Sequence, residues 1–254
     1  MTGTAPPTHA LHSPSPSREG DKKKLIPFSF ILLILDHLMF IVIDGIDGSG
    51  KGTQTELLKT ELEKLGKKVK IYDFPRYEED ASIMVRKYLN GAYGRGLGAK
   101  PASIFYAIDR FDASFSLRED LKNYDYIISN RYTSASMIHQ GGKIKDENEL
   151  KDYVKWLEDL EFNIFGIVKP DKTIFLTLPV DTAIKLVEMK KKREYIKNGD
   201  NKDIHEDDKD HLINAYNSAQ KVATMQNWTK IECVENGILL PKSEITQKIL
   251  KEVL

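Results

Sequence analysis

The sequence predicts an α/β fold, a doubly wound parallel sheet of about five strands with helices on both faces and a small lid segment. Three observations carry that expectation. Short apolar runs alternate with longer stretches of helical spacing from residue 39 to the C-terminus. The first run leads straight into a glycine-rich loop that opens the first helix. No segment repeats another, which argues against a solenoid or a propeller. Strands that alternate with helices need right-handed crossovers, and those give a parallel sheet covered on both faces.

Residues 40–43, Phe-Ile-Val-Ile, are continuously apolar, as a strand buried on both faces must be. Over 53–65, Leu57, Leu58, Leu62 and Leu65 keep helical spacing, and Gly66 supplies a stop. Residues 69–74 predict a second strand and 101–123 a long helix. A third strand is expected over 126–129, a helix over 147–160 and a fourth strand over 173–178. Helices over 181–193 and 208–225, a last strand over 228–234 and a closing helix over 243–254 complete the pattern. Ligands in such folds sit beyond the carboxyl ends of the strands.

Residues 1–38 stand apart from this pattern. The first twenty are rich in Pro, Ser and Thr and cannot bury enough apolar surface to offset their ordering entropy. Basic residues 22–24 then precede an apolar run over 25–35. A signal peptide would need a small-residue cleavage site, and none follows. A bilayer span would need about 20 apolar residues, more than the run holds. The expectation is a dispensable or non-native leader over 1–38 and one functional domain over 39–254.

Composition narrows the function. Thirty-eight basic residues balance 38 acidic ones, so the formal net charge is zero. Bulk charge therefore supplies no grip on nucleic acid, although a local basic pocket for a small anion remains open. Neither nucleic acid nor a membrane is expected as a partner. Cys233 is the only cysteine, so no intrachain disulfide can form, in keeping with a cytoplasmic setting.

The chemistry begins at the glycine-rich loop: Gly45, Ile46, Asp47, Gly48, Ser49, Gly50, Lys51, Gly52 and Thr53. It has the G-x-x-x-x-G-K core of a phosphate-binding loop, in the strand–loop–helix setting of a P-loop NTPase. Glycines let the backbone wrap an anion, and open N–H groups at the helix start face its phosphates. Lys51 adds a mobile point charge. The Ser or Thr that often follows the lysine is Gly52 here, with Thr53 one place later. The order G-K-G-T-Q resembles nucleoside monophosphate kinases, where magnesium is held largely through water and carboxylates.

Three arginines lie in short motifs. Arg76 ends the second expected strand in F-P-R-Y, residues 74–77. Arg110 lies in the long helix, and Arg131 follows the third strand. The forked guanidinium suits bidentate contact with phosphate, so converging arginines can hold a monophosphate and neutralise a group in transfer.

The phosphate loop, F-P-R-Y, F-Y-A-I-D-R over 105–110 and N-R-Y-T-S-A-S-M-I-H-Q over 130–140 resemble thymidylate kinase in order and spacing. The likeness runs from about residue 40 to the C-terminus. It implies transfer of the γ-phosphoryl of ATP to dTMP with Mg2+, on the route to dTTP, in a homodimer. Carried over by position, Arg76 and Arg110 should contact the dTMP phosphate, and Phe74, Tyr77 and Arg131 should belong to the same site. Tyr106 sits where an aromatic ring stacks on thymine, with core packing as its alternative role and Phe105 as the alternative ring. Ser136 and Gln140 match polar positions that reach the base. His139 stands where many members have Tyr near the sugar. Asp47 matches a carboxylate near the sugar hydroxyl and the metal. Residues 188–206 resemble a lid that excludes water on closing. Arg193 is its expected catalytic cation, alongside Lys51, Arg131 and Asp47, and Glu206 its carboxylate near the metal. Many thymidylate kinases have Asp where Asn130 stands, so one negative charge near the metal is missing.

Rival readings remain open at this point. A kinase for AMP or UMP/CMP shares the loop and lid but should lack the F-P-R-Y and N-R-Y set. A guanine-specific switch would carry N-K-x-D, and residues 201–204 read N-K-D-I. A deoxynucleoside kinase would not need so many arginines on the acceptor side.

Overall fold

The computed structural model describes residues 38–94, 96–195 and 209–254, with side chains omitted over 190–195. Five strands form one parallel sheet: β1 (Met39–Asp44), β2 (Val69–Asp73), β3 (Tyr126–Asn130), β4 (Lys172–Thr177) and β5 (Thr229–Glu232). Their spatial order is β2-β3-β1-β4-β5. The helices are α1 (Lys51–Lys64), α2 (Ile83–Leu89), α3 (Ala99–Asp120), α4 (Thr133–His139), α5 (Glu147–Glu158), α6 (Val180–Tyr195), α7 (Lys209–Met225) and α8 (Lys242–Val253).

The apolar run of β1 is buried throughout because its alternate residues feed two different cores. Ile41 and Ile43 join Leu58 and Leu62 of α1, Leu212, Ala215 and Ala219 of α7, and Ile245 and Ile249 of α8. Phe40 and Val42 join Ala113 and Leu117 of α3 on the other face. Each such fully buried side chain contributes about 1.5–3 kcal/mol. The register sets Ile43 beside Asn130, and Asn130 beside Asp73. The carboxyl ends of β1, β2 and β3 therefore lie side by side.

The expected sheet and helix order is observed, with local corrections. The first helix begins at Lys51 rather than 53, and the long helix at Ala99 rather than 101. The short helices α2 and α4 were not expected. In α4, Ser and Thr give weak local preference, and burial of Met137 and Ile138 holds the turn. Helix α5 runs on into a π-helical turn, Asp159–Ile164. The last expected strand stops at Glu232, and Val234–Glu235 (β6) then pairs with Ile238–Leu239 (β7) in a hairpin. Its turn is Asn236-Gly237, with φ of 52° and 78°, the left-handed pair that a tight two-residue turn needs.

Apart from Leu38, the leader expected over 1–38 lies outside the described residues. Of the lid expected over 188–206, the backbone to Tyr195 closes α6, and the remainder lies outside them. Among the described residues no helix is long and apolar enough to cross a membrane.

Candidate active site

The loop from Gly45 to Gly50 joins β1 to α1. Gly48 (φ 84°) and Gly50 (φ 87°) adopt backbone that other residues rarely take. A Cβ on Gly48 would also lie 2.5 Å from the Ala183 carbonyl oxygen, so α6 packs directly on the loop. Gly50 caps α1 without any side-chain hydrogen bond. The first-turn N–H groups are thus left for an anion. Lys51 is buried and donates from Nζ to the Ile46 carbonyl at 3.2 Å and to Asp47 Oδ1 at 3.3 Å.

Arg131 meets this loop from the end of β3. Its φ of 66° is left-handed, an uncommon state for a non-glycine residue that turns the chain sharply at the strand end. Its amide donates to the Ile43 carbonyl at 3.1 Å. Its guanidinium donates from Nη2 to Asp47 Oδ1 and from Nη1 to His139 Nε2 at 3.1 Å. An arginine only donates, so His139 Nε2 accepts and its proton resides on Nδ1. The His139 ring stacks on His211 of α7, 5.7 Å between centroids.

These contacts set the charges. Burial opposes ionisation of Asp47, but the charges of Arg131 and Lys51 prevail and hold its carboxyl well below the usual range. Burial, together with the Arg131 charge, lowers the Lys51 ammonium despite Asp47 and Asp44. Burial also holds His139 well below the ordinary imidazole value. Asp44, beneath the loop, is raised by burial, although it accepts from Ser134 Oγ at 2.6 Å and from the Gly45 amide at 2.8 Å.

Next to this cluster a cavity opens, lined by Asp47, Phe74, Pro75, Tyr77, Leu89, Tyr106, Arg110, Arg131, Ala135, Ser136, His139, Gln140 and His211. Every acceptor-site residue expected from the sequence lines it except Arg76. The Arg76 guanidinium runs to α3 instead, donating from Nε to Asp109 Oδ1 at 2.9 Å and from Nη2 to Asp112 Oδ2 at 2.6 Å. Phe105 is absent from that lining and packs on Tyr93, 5.2 Å between centroids, whereas Tyr106 joins Phe74 and Tyr77 in the wall.

Arg110 is paired rather than free. Its Nε and Nη2 donate to Glu161 Oε2 and Oε1, each at 2.6 Å, and Nη2 also reaches Ser136 Oγ at 3.1 Å. The two side chains are 2% and 0% exposed. Breaking such a buried pair costs about 3–5 kcal/mol. The Gln140 Oε1 atom is buried without a hydrogen-bond partner among the described residues. Sequence reading missed Glu161, although a signal existed. Leu150, Tyr153, Val154 and Leu157 mark a buried helical stripe, and Glu161 occupies its next position. A charge at a core position calls for a buried partner.

Asn130 donates from Nδ2 to Asp73 Oδ1 at 2.8 Å, while its Oδ1 is buried and unpartnered among the described residues. Ser49 Oγ in the loop is likewise buried and unpartnered. With the Asp47 carboxylate these are hard oxygen donors, the type that suits magnesium and its waters. Among the described residues no group of three or more His, Cys, Asp or Glu could hold a metal by itself. The Arg193 side chain and Glu206 lie outside the described residues.

Comparison with known proteins bears on this arrangement. The thymidylate kinase family profile matches residues 43–238. The thymidylate kinase of Mycobacterium tuberculosis strain H37Rv is 29% identical over 147 residues, 57% of this chain and 68% of that protein. The probable thymidylate kinase of Methanocaldococcus jannaschii is 30% identical over 165 residues, 63% of this chain and 76% of that protein. Among solved structures, a thymidylate kinase from Candida albicans superposes with a TM-score of 0.62 at 19% identity, over 85% of this chain and 90% of that one, a likeness of fold.

Proposed function

The chain belongs to the thymidylate kinase family, and on that premise we propose that it moves the γ-phosphoryl group of ATP to dTMP, giving dTDP and ADP. One observation carries the reading. Asp47 of the phosphate loop and Arg131 line the same cavity as Arg110, whose Nη1 makes no hydrogen bond among the described residues, and Gln140, whose buried Oε1 has no partner among them. A donor and an acceptor in one cavity suit the carbonyl and N–H of a thymine edge, and Tyr106 supplies a face for the ring.

The residues divide the work as follows. The loop amides and Lys51 receive the β- and γ-phosphates of ATP. Asp47 holds Lys51 and Arg131 at the point where donor and acceptor meet. Arg131 takes the acceptor phosphate and neutralises charge during transfer. Glu161 holds Nε and Nη2 of Arg110, and the remaining nitrogen reads the base. Arg76, held by Asp109 and Asp112 through Nε and Nη2, keeps Nη1 for a phosphate contact. The resemblance implies a further cation from Arg193 and a carboxylate from Glu206; the side chain of the one and the whole of the other lie outside the described residues. Asp47 and the Asn130 carbonyl oxygen would hold Mg2+, chiefly through water. Magnesium, when bound, would offset the charge of the donor phosphates.

Two wider features accompany this reading. Ile104, Ile108, Phe111 and Phe115 are exposed at spacings of four, three and four along α3, one apolar stripe that a second copy would cover. A homodimer working in the cytoplasm fits that stripe and the single cysteine. The deciding experiment is ADP release measured with dTMP, dUMP, UMP, CMP, AMP and GMP as acceptors. The dTMP rate should lead, and AMP or UMP as best acceptor would overturn the reading.

A further inference from the structure

Glu161 has no place in the phosphate-transfer machinery, yet it is fully buried beside the acceptor cavity. It is delivered by the π-helical turn that ends α5, where the Phe165 amide reaches back to the Leu160 carbonyl at 2.9 Å. Single π-helical turns are uncommon and concentrate where a helix must re-aim a side chain at a site. Three donors converge on the carboxylate: Arg110 Nε, Arg110 Nη2 and Thr133 Oγ1, the last at 2.9 Å from Oε2. With Nε and Nη2 engaged, Nη1 is the Arg110 nitrogen that makes no hydrogen bond among the described residues.

We propose that Glu161 is a positioning residue for base recognition. It grips Arg110 along one edge of the guanidinium, with Thr133 bracing the grip, and so presents Nη1 to the cavity. This rests on the base-reading role given to Arg110 above. A planar fork held by two parallel hydrogen bonds has a fixed orientation, whereas an arginine held by Ser136 alone does not. The bidentate pair therefore acts on the orientation of the donor and leaves the donor loop untouched.

The test uses the full chain and three ligands: ATP, dTMP, and thymidine as a competitive inhibitor without a phosphate. In Glu161→Gln one charged hydrogen bond of the fork is lost. The KM for dTMP and the Ki for thymidine should both rise about tenfold, by the same factor, because both present the same base edge. The KM for ATP should stay within about twofold of the natural chain. Thr133→Val removes the brace with little change of shape, and should raise the same two constants by a smaller common factor of about three. It decides the matter if Glu161→Gln does not fold.

Unchanged constants for dTMP and thymidine would overturn the proposal. So would a dTMP effect that thymidine does not share, which would return Arg110 to the phosphate. A matching rise in the KM for ATP would mark a merely structural role and overturn it as well. The natural chain serves as the reference for the parent reading. If it does not phosphorylate dTMP, the proposed function fails, whatever the variants do.

Discussion

Arg131 and His139 form a one-way hydrogen bond, 3.1 Å from the guanidinium Nη1 to the imidazole Nε2. The bond requires a neutral His139, and burial enforces that state. His139 thus has a folded pKa below its unfolded value. Below the ordinary imidazole value of 6.5 the unfolded chain takes up a proton that the folded chain refuses. Its contribution to stability is therefore full above that pH and declines as pH falls, by at most about 1.4 kcal/mol per unit. His139→Gln should flatten the fall in Tm between pH 7 and pH 5. Equal slopes for both proteins would show that His139 titrates normally.

Lys51 stands at the head of α1, where the proposed function sets the phosphates of ATP. Lys51→Ala should lower kcat by about a hundredfold or more, because it removes a charge acting on the group in transfer. The fold should persist, since among the described residues the Lys51 ammonium hydrogen-bonds only within the loop, to Ile46 and Asp47. Circular dichroism and steady-state rates check both parts. Near-native turnover would remove Lys51 from the mechanism.

Asn130 and Asp73 are paired across β3 and β2, 2.8 Å apart. A carboxylate in place of Asn130 would face a second carboxylate, and the two would share a proton when no cation is near. Asn130→Asp should therefore bind magnesium better as pH rises from 6 to 8, while the natural chain changes little. A magnesium titration followed both by rate and by heat of binding tests this. A requirement that is identical in both proteins at both pH values would place Asn130 outside the electrostatic reach of the metal. Its role would then be the local bond to Asp73.

Phe115 is 59% exposed and lies on the apolar stripe of α3. Phe115→Glu puts a charge into any interface built on that stripe, and burying an unpaired charge is strongly unfavourable. Light scattering should show the natural chain as a dimer and the variant as a monomer, with the monomer still folded. A natural chain that is monomeric throughout would rule out this interface.

The phosphate loop was legible in the sequence because its parts are contiguous. An apolar strand, glycines and a lysine at the helix start act through neighbouring backbone, so spacing along the chain is spacing in space. The alternation of strands and helices was legible for the same reason. The acceptor motifs also predicted which residues would gather: Tyr106, Arg131, Ser136 and Gln140 all line one cavity. Tertiary structure alone decided how the arginines are used. Arg76 goes to Asp109 and Asp112, Arg110 to Glu161, and Arg131 to Asp47 and His139. These partners come from separate elements that the crossovers bring to one end of the sheet. Motifs specify where a charged group starts, but its direction is set by the nearest buried counter-charge, because an unpaired charge away from water is the most costly arrangement open to it.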